Sequence, residues 1–485
     1  MAVLSLFFLL IQTACASDTV KPDDATVGFW VRQALLDDPR VLSSDVAVCV
    51  DSGIVTLTGS VRDLAEKTFA EKEAMKINGV RGVIDKLEIK TIYRPDEEIR
   101  DYVEKRIVNC MALPPGNLKV TCLDGTVTLR GEVPSWSDSH EAILLASEIS
   151  GVKAVENHLK ITYPVRRTDE EIQLDVSEAL SRDVYLAGLP LDVTVKAGEV
   201  TLTGLVGNSY EKDRAGEDAA RVWNVKRVNN ELAVDPYENE GVRKKMPLPD
   251  DGALEKAVHD ELVKDLRIMD PYSISADADY GQITLKGSVP SYGQKRLALE
   301  DAKNVVGVGW VTNQLVVKSS FVDDLATQEK VRSALETDYA LFGDKIEAFV
   351  DNGIATLNGS VHTYYERNHA EDVAARVPGV IETMNHLKVK SRDMYSDGTL
   401  KKHIQDRLMT GWQTRNVADD IHVQVKGGEV TLTGTVDSWG ERKEADRLAF
   451  FTSGVRDVDN RLTVAKVNYP WGEKRAETVH GPDNG

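Results

Sequence analysis

The amino-acid sequence predicts an α/β (α+β) tandem-repeat protein. It reads as six small modules, each running helix, strand, strand, helix, strand, with two helices on one face of a three-stranded sheet. Three observations predict this. One pattern of glycine, valine and alanine recurs six times along the 485 residues. Within each copy the apolar spacing changes from about four residues to strict alternation and back. Two-residue turn sequences stand where the alternating runs meet.

The repeat is anchored on Gly59, Gly131, Gly204, Gly287, Gly359 and Gly434. Relative to each anchor, Leu stands two before, Thr three before, Gly six before and Val two after. Ala stands eleven and fifteen after, and Val twenty-one after, in all six copies. Such agreement within one chain marks a repeated supersecondary unit.

Each element then follows in order. Ile99, Val103 and Ile107 in the second copy, and Ile172, Val176 and Leu180 in the third, lie four apart and make one buried helical stripe. In the first copy Val46, Val48 and Val50 alternate, then Val55, Leu57 and Val61, around a Ser52-Gly53 turn. Asp124-Gly125 and Asn352-Gly353 at the same place are strong hairpin signals. A two-residue loop pairs Val50 with Val55 and Val48 with Leu57, which puts both apolar sets on one face. The alanine pair gives the second helix a smooth face toward the sheet, and the anchor glycine is expected to receive that helix. A last strand alternates as Val155, Asn157, Leu159, Ile161.

The carrying motifs are Gly198-Glu199-Val200-Thr201-Leu202-Thr203-Gly204-Leu205-Val206, the Ala-x-x-x-Ala helix, and the segment from Val225 to Val234. In these the chain resembles the BON-domain family, from about residue 23 to 466. The resemblance implies this α/β topology and proteins of the bacterial envelope that are not enzymes, some of which bind phospholipid. Asp85 in place of the last-strand Asn, and the small Ala276 and Ala278 in a first strand, depart from the pattern.

The expected division is a signal peptide at 1–16, repeats at 23–91, 95–163 and 168–235, and a linker at 236–249. Repeats at 250–318, 322–391 and 397–466 and a tail at 467–485 complete it. The linker is read as a hinge between two groups of three modules. The leader is an apolar run followed by Ala14-Cys15-Ala16, which fits cleavage before Ser17 and export to the periplasm. The alternative is lipid anchoring through Cys15. No later segment is apolar enough to span a bilayer.

A net charge of −19 and the absence of a basic, aromatic-rich stripe argue against nucleic-acid binding. No nucleophile elbow, phosphate loop or zinc-ligand spacing occurs, so the reading is a non-enzymatic chain with no cofactor and no metal. The last-strand amides Asn157, Asn230, Asn313, Asn385 and Asn460 are read as satisfying loose backbone groups. His158 and His386 read as surface residues. Glu211, Lys212, Asp213 and Arg214 read as a solvated helix face, and Trp136, Tyr292, Tyr364 and Trp439 as staples under the second helix.

Two groups are singled out. Phe349 and Ile354 in the fifth copy, and Cys49 and Ile54 in the first, face outward where other copies are polar, as with Gln424, Glu429 and Thr431. They are expected to dock a neighbouring module or another chain. Cys110 and Cys122 are read as a core pair, bridged or free. The functional expectation is an envelope binding protein that contacts phospholipid or envelope components under osmotic or envelope stress. The second hypothesis is an elongated spacer or scaffold without lipid affinity.

Overall fold

The computed structural model describes residues 21–41, 45–91, 93–110, 118–163, 167–235, 249–265, 268, 270–318, 323–341, 344–390 and 395–464. The expected leader with Cys15, nearly all of the 236–249 linker and the tail lie outside the described residues.

Module 1 shows the common plan. A helix at Asp24–Asp37 leads to a hairpin of Ala47–Asp51 and Ile54–Val61, a second helix at Leu64–Met75 and a last strand at Gly82–Ile89. The second strand is central, antiparallel to the first and parallel to the last. Val50 pairs with Val55 and Val48 with Leu57, the register expected from turn length and alternation. Each module closes its own apolar core. In module 1, Val27, Val31 and Leu35 of the first helix meet Val55, Leu57, Ala70 and Ala74. Truncating a fully buried leucine such as Leu57 costs about 2–5 kcal/mol.

All six hairpins turn on two residues of positive φ, from Ser52-Gly53 to Gly427-Gly428. This is the mirror-image turn whose twist matches the strands. A clasp absent from the sequence reading holds five of these turns by both amides. The first helical residue, an aspartate, accepts both turn amides: Asp24 from Ser52 and Gly53, Asp96 from Asp124 and Gly125, Asp169 from Ala197 and Gly198. Asp324 and Asp397 repeat it, and Asp251 accepts from Tyr280.

The anchor glycines do not receive the second helix. A Cβ at Gly204 would lie 2.4 Å from the Pro190 carbonyl oxygen, just before the first strand, and φ there is +130°. The residue is glycine because the central strand bends against that backbone. The last-strand amides perform the backbone role expected, though half-buried or, at Asn157, exposed. Asn230 donates to the Lys212 carbonyl at 2.6 Å and accepts from the Leu232 amide, tying second helix to last strand. Asp85 keeps the acceptor half, taking the Leu87 amide at 2.8 Å, and pairs with Lys67 instead of donating.

The six modules do not form an extended string. Antiparallel bridges join Ile77 to Gly411, Ile149 to Asp338 and Asp183 to Val305. Module 1 thus meets module 6, module 2 meets module 5, and module 3 meets module 4. The joint is one motif used three times: the loop after a second helix donates to the last carbonyl of a first helix. Asn78 donates to Thr410, Ser150 to Thr337 and Val306 to Arg182. The two groups of three are therefore not held apart by a hinge, because all three joints cross the expected boundary.

Buried ions line these joints. Glu73, 1% exposed, accepts from Arg407 and Arg447 at 2.7 Å each and from Arg40 at 3.4 Å. Burial alone would raise its pKa, but Arg447, Arg407 and Arg40 outweigh that and hold it below the usual carboxylate range. At the 2–5 joint, Asp338 takes Arg106 at 3.4 Å and His369 at 2.9 Å. At the 3–4 joint, Arg182 reaches Asp260 at 3.2 Å, beside Asp183 with Arg214 at 2.6 Å. Asp38, Asp183 and Asp338 occupy one repeat position, each with an Asx turn to its own loop. The Glu211–Arg214 stretch is accordingly solvated only in part, with Asp213 exposed as expected. Glu211 is buried, capping the Gly207 amide, and Arg214 is engaged by Asp183.

Candidate interaction surface

With the second helices drawn into the joints, the sheets keep their second face outward. On that face each module presents three neighbouring positions, one per strand. Phe349 is paired with Thr356, which is paired with Met384, and Ile354 lies two residues before Thr356. Phe349 is 53% and Met384 43% exposed, and Ile354 is half-buried. Module 1 places Cys49, Ile54 and Ile84 at the same positions, with Cys49 and Ile84 exposed. The corresponding residues in module 2 are Thr121, Thr126 and Glu156, and in module 6 Gln424, Glu429 and Asp459.

The structure thus brings together the four singled-out residues in two like patches and adds Ile84 and Met384. Alternation alone could not add them, because it does not say which strand lies beside which. Docking of a neighbouring module onto these patches is corrected: Phe349 and Cys49 remain exposed with all six modules packed.

Other singled-out residues divide. Trp136 stacks on His140 of its own helix at 4.6 Å. Tyr292 packs against the core of module 5, and the Tyr364 hydroxyl donates to Asp457 of module 6 at 2.9 Å, so these two join modules rather than staple helices. The Trp439 side chain lies outside the described residues. His158 and His386 are exposed, as expected. Cys122 is a free thiol donating to Asp96 at 3.4 Å, and burial followed by that carboxylate pushes its pKa up to about 11. The Cys110 side chain lies outside the described residues.

Titratable groups depart from their usual range mainly at the joints. Burial pulls Lys76 down to about 7, with Arg447 adding to the effect. Burial pushes Asp218 up to about 7 against the pull of Arg214. His369 and Asp338 form a His–carboxylate pair, yet both are buried between modules with Tyr339 and Tyr365 around the ring. Among the described residues one trio of metal-type donors converges, Asp344, His362 and Glu366, which the sequence reading did not contain.

Comparison with known proteins places these features. The family model described as "BON domain" matches residues 23–91, 95–163, 168–236, 250–319, 323–391 and 396–466. Osmotically-inducible protein Y of Escherichia coli (strain K12) is 32% identical over 145 residues, covering 28% of this chain and 72% of that protein. Outer membrane lipoprotein DolP of Haemophilus influenzae is 31% identical over 144 residues, covering 29% of this chain and 74% of that protein. Among solved structures, the C-terminal domain of CdsD, a structural protein of the type III secretion system of Chlamydia trachomatis, matches 47% of this chain and all of that domain. Its sequence identity is 14% and its TM-score 0.13.

Proposed function

The chain belongs to the BON-domain family, with six copies in one polypeptide, and from that premise we propose that it is a non-enzymatic binding protein of the bacterial envelope. Its ligand on this reading is a phospholipid surface, met by the outward sheet faces of modules 1 and 5. The observation that carries the reading is the outward apolar trio of exposed Phe349 and Met384 with half-buried Ile354, repeated as Cys49, Ile84 and Ile54, where other modules place polar residues. An aromatic or aliphatic group left in water is unfavourable by roughly 25 cal/mol per Å2, and insertion among acyl chains relieves it. The acidity of the whole chain opposes adsorption to anionic lipid by long-range attraction, so local insertion is the mode that fits. An envelope setting is supported by relatives named as osmotically inducible and as an outer membrane lipoprotein. No helix among the described residues is long and apolar enough to cross a membrane, so contact on this reading is peripheral.

The alternative spacer reading needs an elongated particle, and the bridges from module 1 to module 6 oppose it. The test is co-sedimentation of the full chain with vesicles of neutral and anionic phospholipid, at low and high salt. Binding that persists in high salt and is lost in the Phe349→Ser, Ile354→Thr double variant is expected. No sedimentation with any vesicle, or unchanged sedimentation of the double variant, would overturn the proposal.

A further inference from the structure

Module 5 sets two further donor groups beside the glutamate that caps its second helix. Its register pairs Lys345 with Ser360, which sets Asp344, just before the first strand, beside His362, just after the second. Thr363 then caps the second helix in a capping box, and Glu366 at the third helical position accepts the amides of His362 and Thr363. The His362 Nδ1 atom lies 3.1 Å from an Asp344 oxygen and 3.8 Å from a Glu366 oxygen. One donor atom from each of the three residues lies within 4.8 Å of the others. The two carboxylate side chains are only 5% and 8% exposed, whereas the imidazole is 37% exposed.

Two shielded carboxylates beside one imidazole nitrogen make a donor set whose negative charges match those of a dication. The positive end of the helix dipole, about half a charge, opposes a cation here but is outweighed by two carboxylates. Glu366 is shared with other modules as a helix cap, as Glu211 is in module 3, but the internal copies argue that the histidine is not structural. The position of His362 is held by Arg62, Pro134, Gly207, Pro290 and Asp437 in the other modules, all of which fold on the same plan. Where a cation is wanted only for pairing, Arg62 in module 1 supplies it to Glu66 at 3.5 Å.

We propose that Asp344, His362 and Glu366 form a divalent-metal site, one nitrogen and two oxygen donors with solvent completing the shell on the side where His362 is exposed. An imidazole with two carboxylates suits a borderline ion of the zinc class better than calcium or magnesium, which take oxygen alone. Bound there, the ion ties the start of the first strand to the head of the second helix. That helix carries the joints of module 5 to module 4, through Arg296 and Glu371, and to module 6, through Tyr364 and Asp457.

The test uses the untagged full chain, freed of metal with a chelator, titrated with Zn2+ alone by calorimetry and with Co2+ by visible absorption. One ion per chain, a Co2+ spectrum with a nitrogen ligand and a rise in the melting temperature are expected. Replacing groups behind a metal ligand already lowers affinity by about 10–100-fold, so His362→Asn and Asp344→Asn should each lose at least about tenfold. Glu366→Gln keeps an oxygen for the helix cap while removing the charge, and it should weaken binding with the fold intact. Absence of saturable binding up to millimolar Zn2+, or full binding retained by all three variants, overturns the site.

Discussion

The Asp324 carboxylate holds the backbone amide of Gly353, 29 residues later, at 2.9 Å. Its second oxygen takes the Asn352 amide at 2.8 Å, so one side chain at the start of a helix fixes a hairpin turn. Hydrogen bonds to a charged acceptor contribute more than neutral ones, and partial solvent exposure reduces them. Asp324→Ala should destabilise module 5 by about 1–2 kcal/mol, and Asp324→Asn, which keeps one acceptor, by less. Amide exchange of Asn352 and Gly353 reads this directly. Unchanged protection in the alanine variant would contradict the clasp.

The joint between modules 1 and 6 depends on Glu73. Glu73→Gln leaves the buried Arg407 guanidinium without that carboxylate and Arg447 with Glu444 alone, and breaking such a group costs about 3–5 kcal/mol. The amides of Asn78 and Ser453, which cross this joint, should lose protection while those of the Val55–Leu57 core keep theirs. The particle should also expand in small-angle scattering. Asn78 and Ser453 exchanging as slowly as before would refute the assignment.

The 2–5 joint should weaken with rising pH. Burial acts to lower the His369 pKa, but Asp338 at 2.9 Å more than reverses this, so the folded value lies above the usual histidine value. A raised folded pKa gives stability that is complete below the unfolded value and is lost as pH climbs through the folded one. Arg106, Glu148 and Arg376 face the same pair. Exchange at the Ser150 and Tyr339 amides, corrected for intrinsic rate, should therefore become faster as pH is raised into the alkaline range. His369→Gln should remove the difference, and a pH-independent rate in the unaltered chain would count against it.

Cys122 sits against Asp96 as a thiol, and its raised pKa makes it slow to alkylate in the folded chain, whereas the exposed Cys49 should react at once. After denaturation without reductant, mass spectrometry should find Cys110 and Cys122 both labelled. A peptide pair linked through the two would restore the disulfide.

The module was legible in the chain because period-two alternation, a two-residue turn and an alanine-faced helix all specify one register. Val48 opposite Leu57 follows from these alone. The clasps were not read, since an aspartate opening a helix already has a local explanation as a helix-start signal, and its partner lies far along the chain. Six recurrences were the available sign. The joints were hidden for a different reason. Arg447 stands three residues after Glu444, the spacing of an ordinary exposed pair, and only contact with Glu73 of a distant module makes it buried. Two of the three residues of each apolar patch were readable, Phe349 with Ile354 and Cys49 with Ile54, because each couple lies on a hairpin. Met384 required knowing that the last strand runs beside the second. The metal trio shows half its signal as His362 and Glu366 four apart, while Asp344 joins them only through the strand register.

The partners 3 with 4, 2 with 5 and 1 with 6 close like successive pairs of brackets around the middle of the chain. A stacked solenoid touches only neighbours and can be shortened a repeat at a time. This chain cannot be cut that way. Removing the sixth module strips Glu73 of Arg407 and Arg447 together. The innermost pair, modules 3 and 4, is the one that can shut first as the polypeptide emerges.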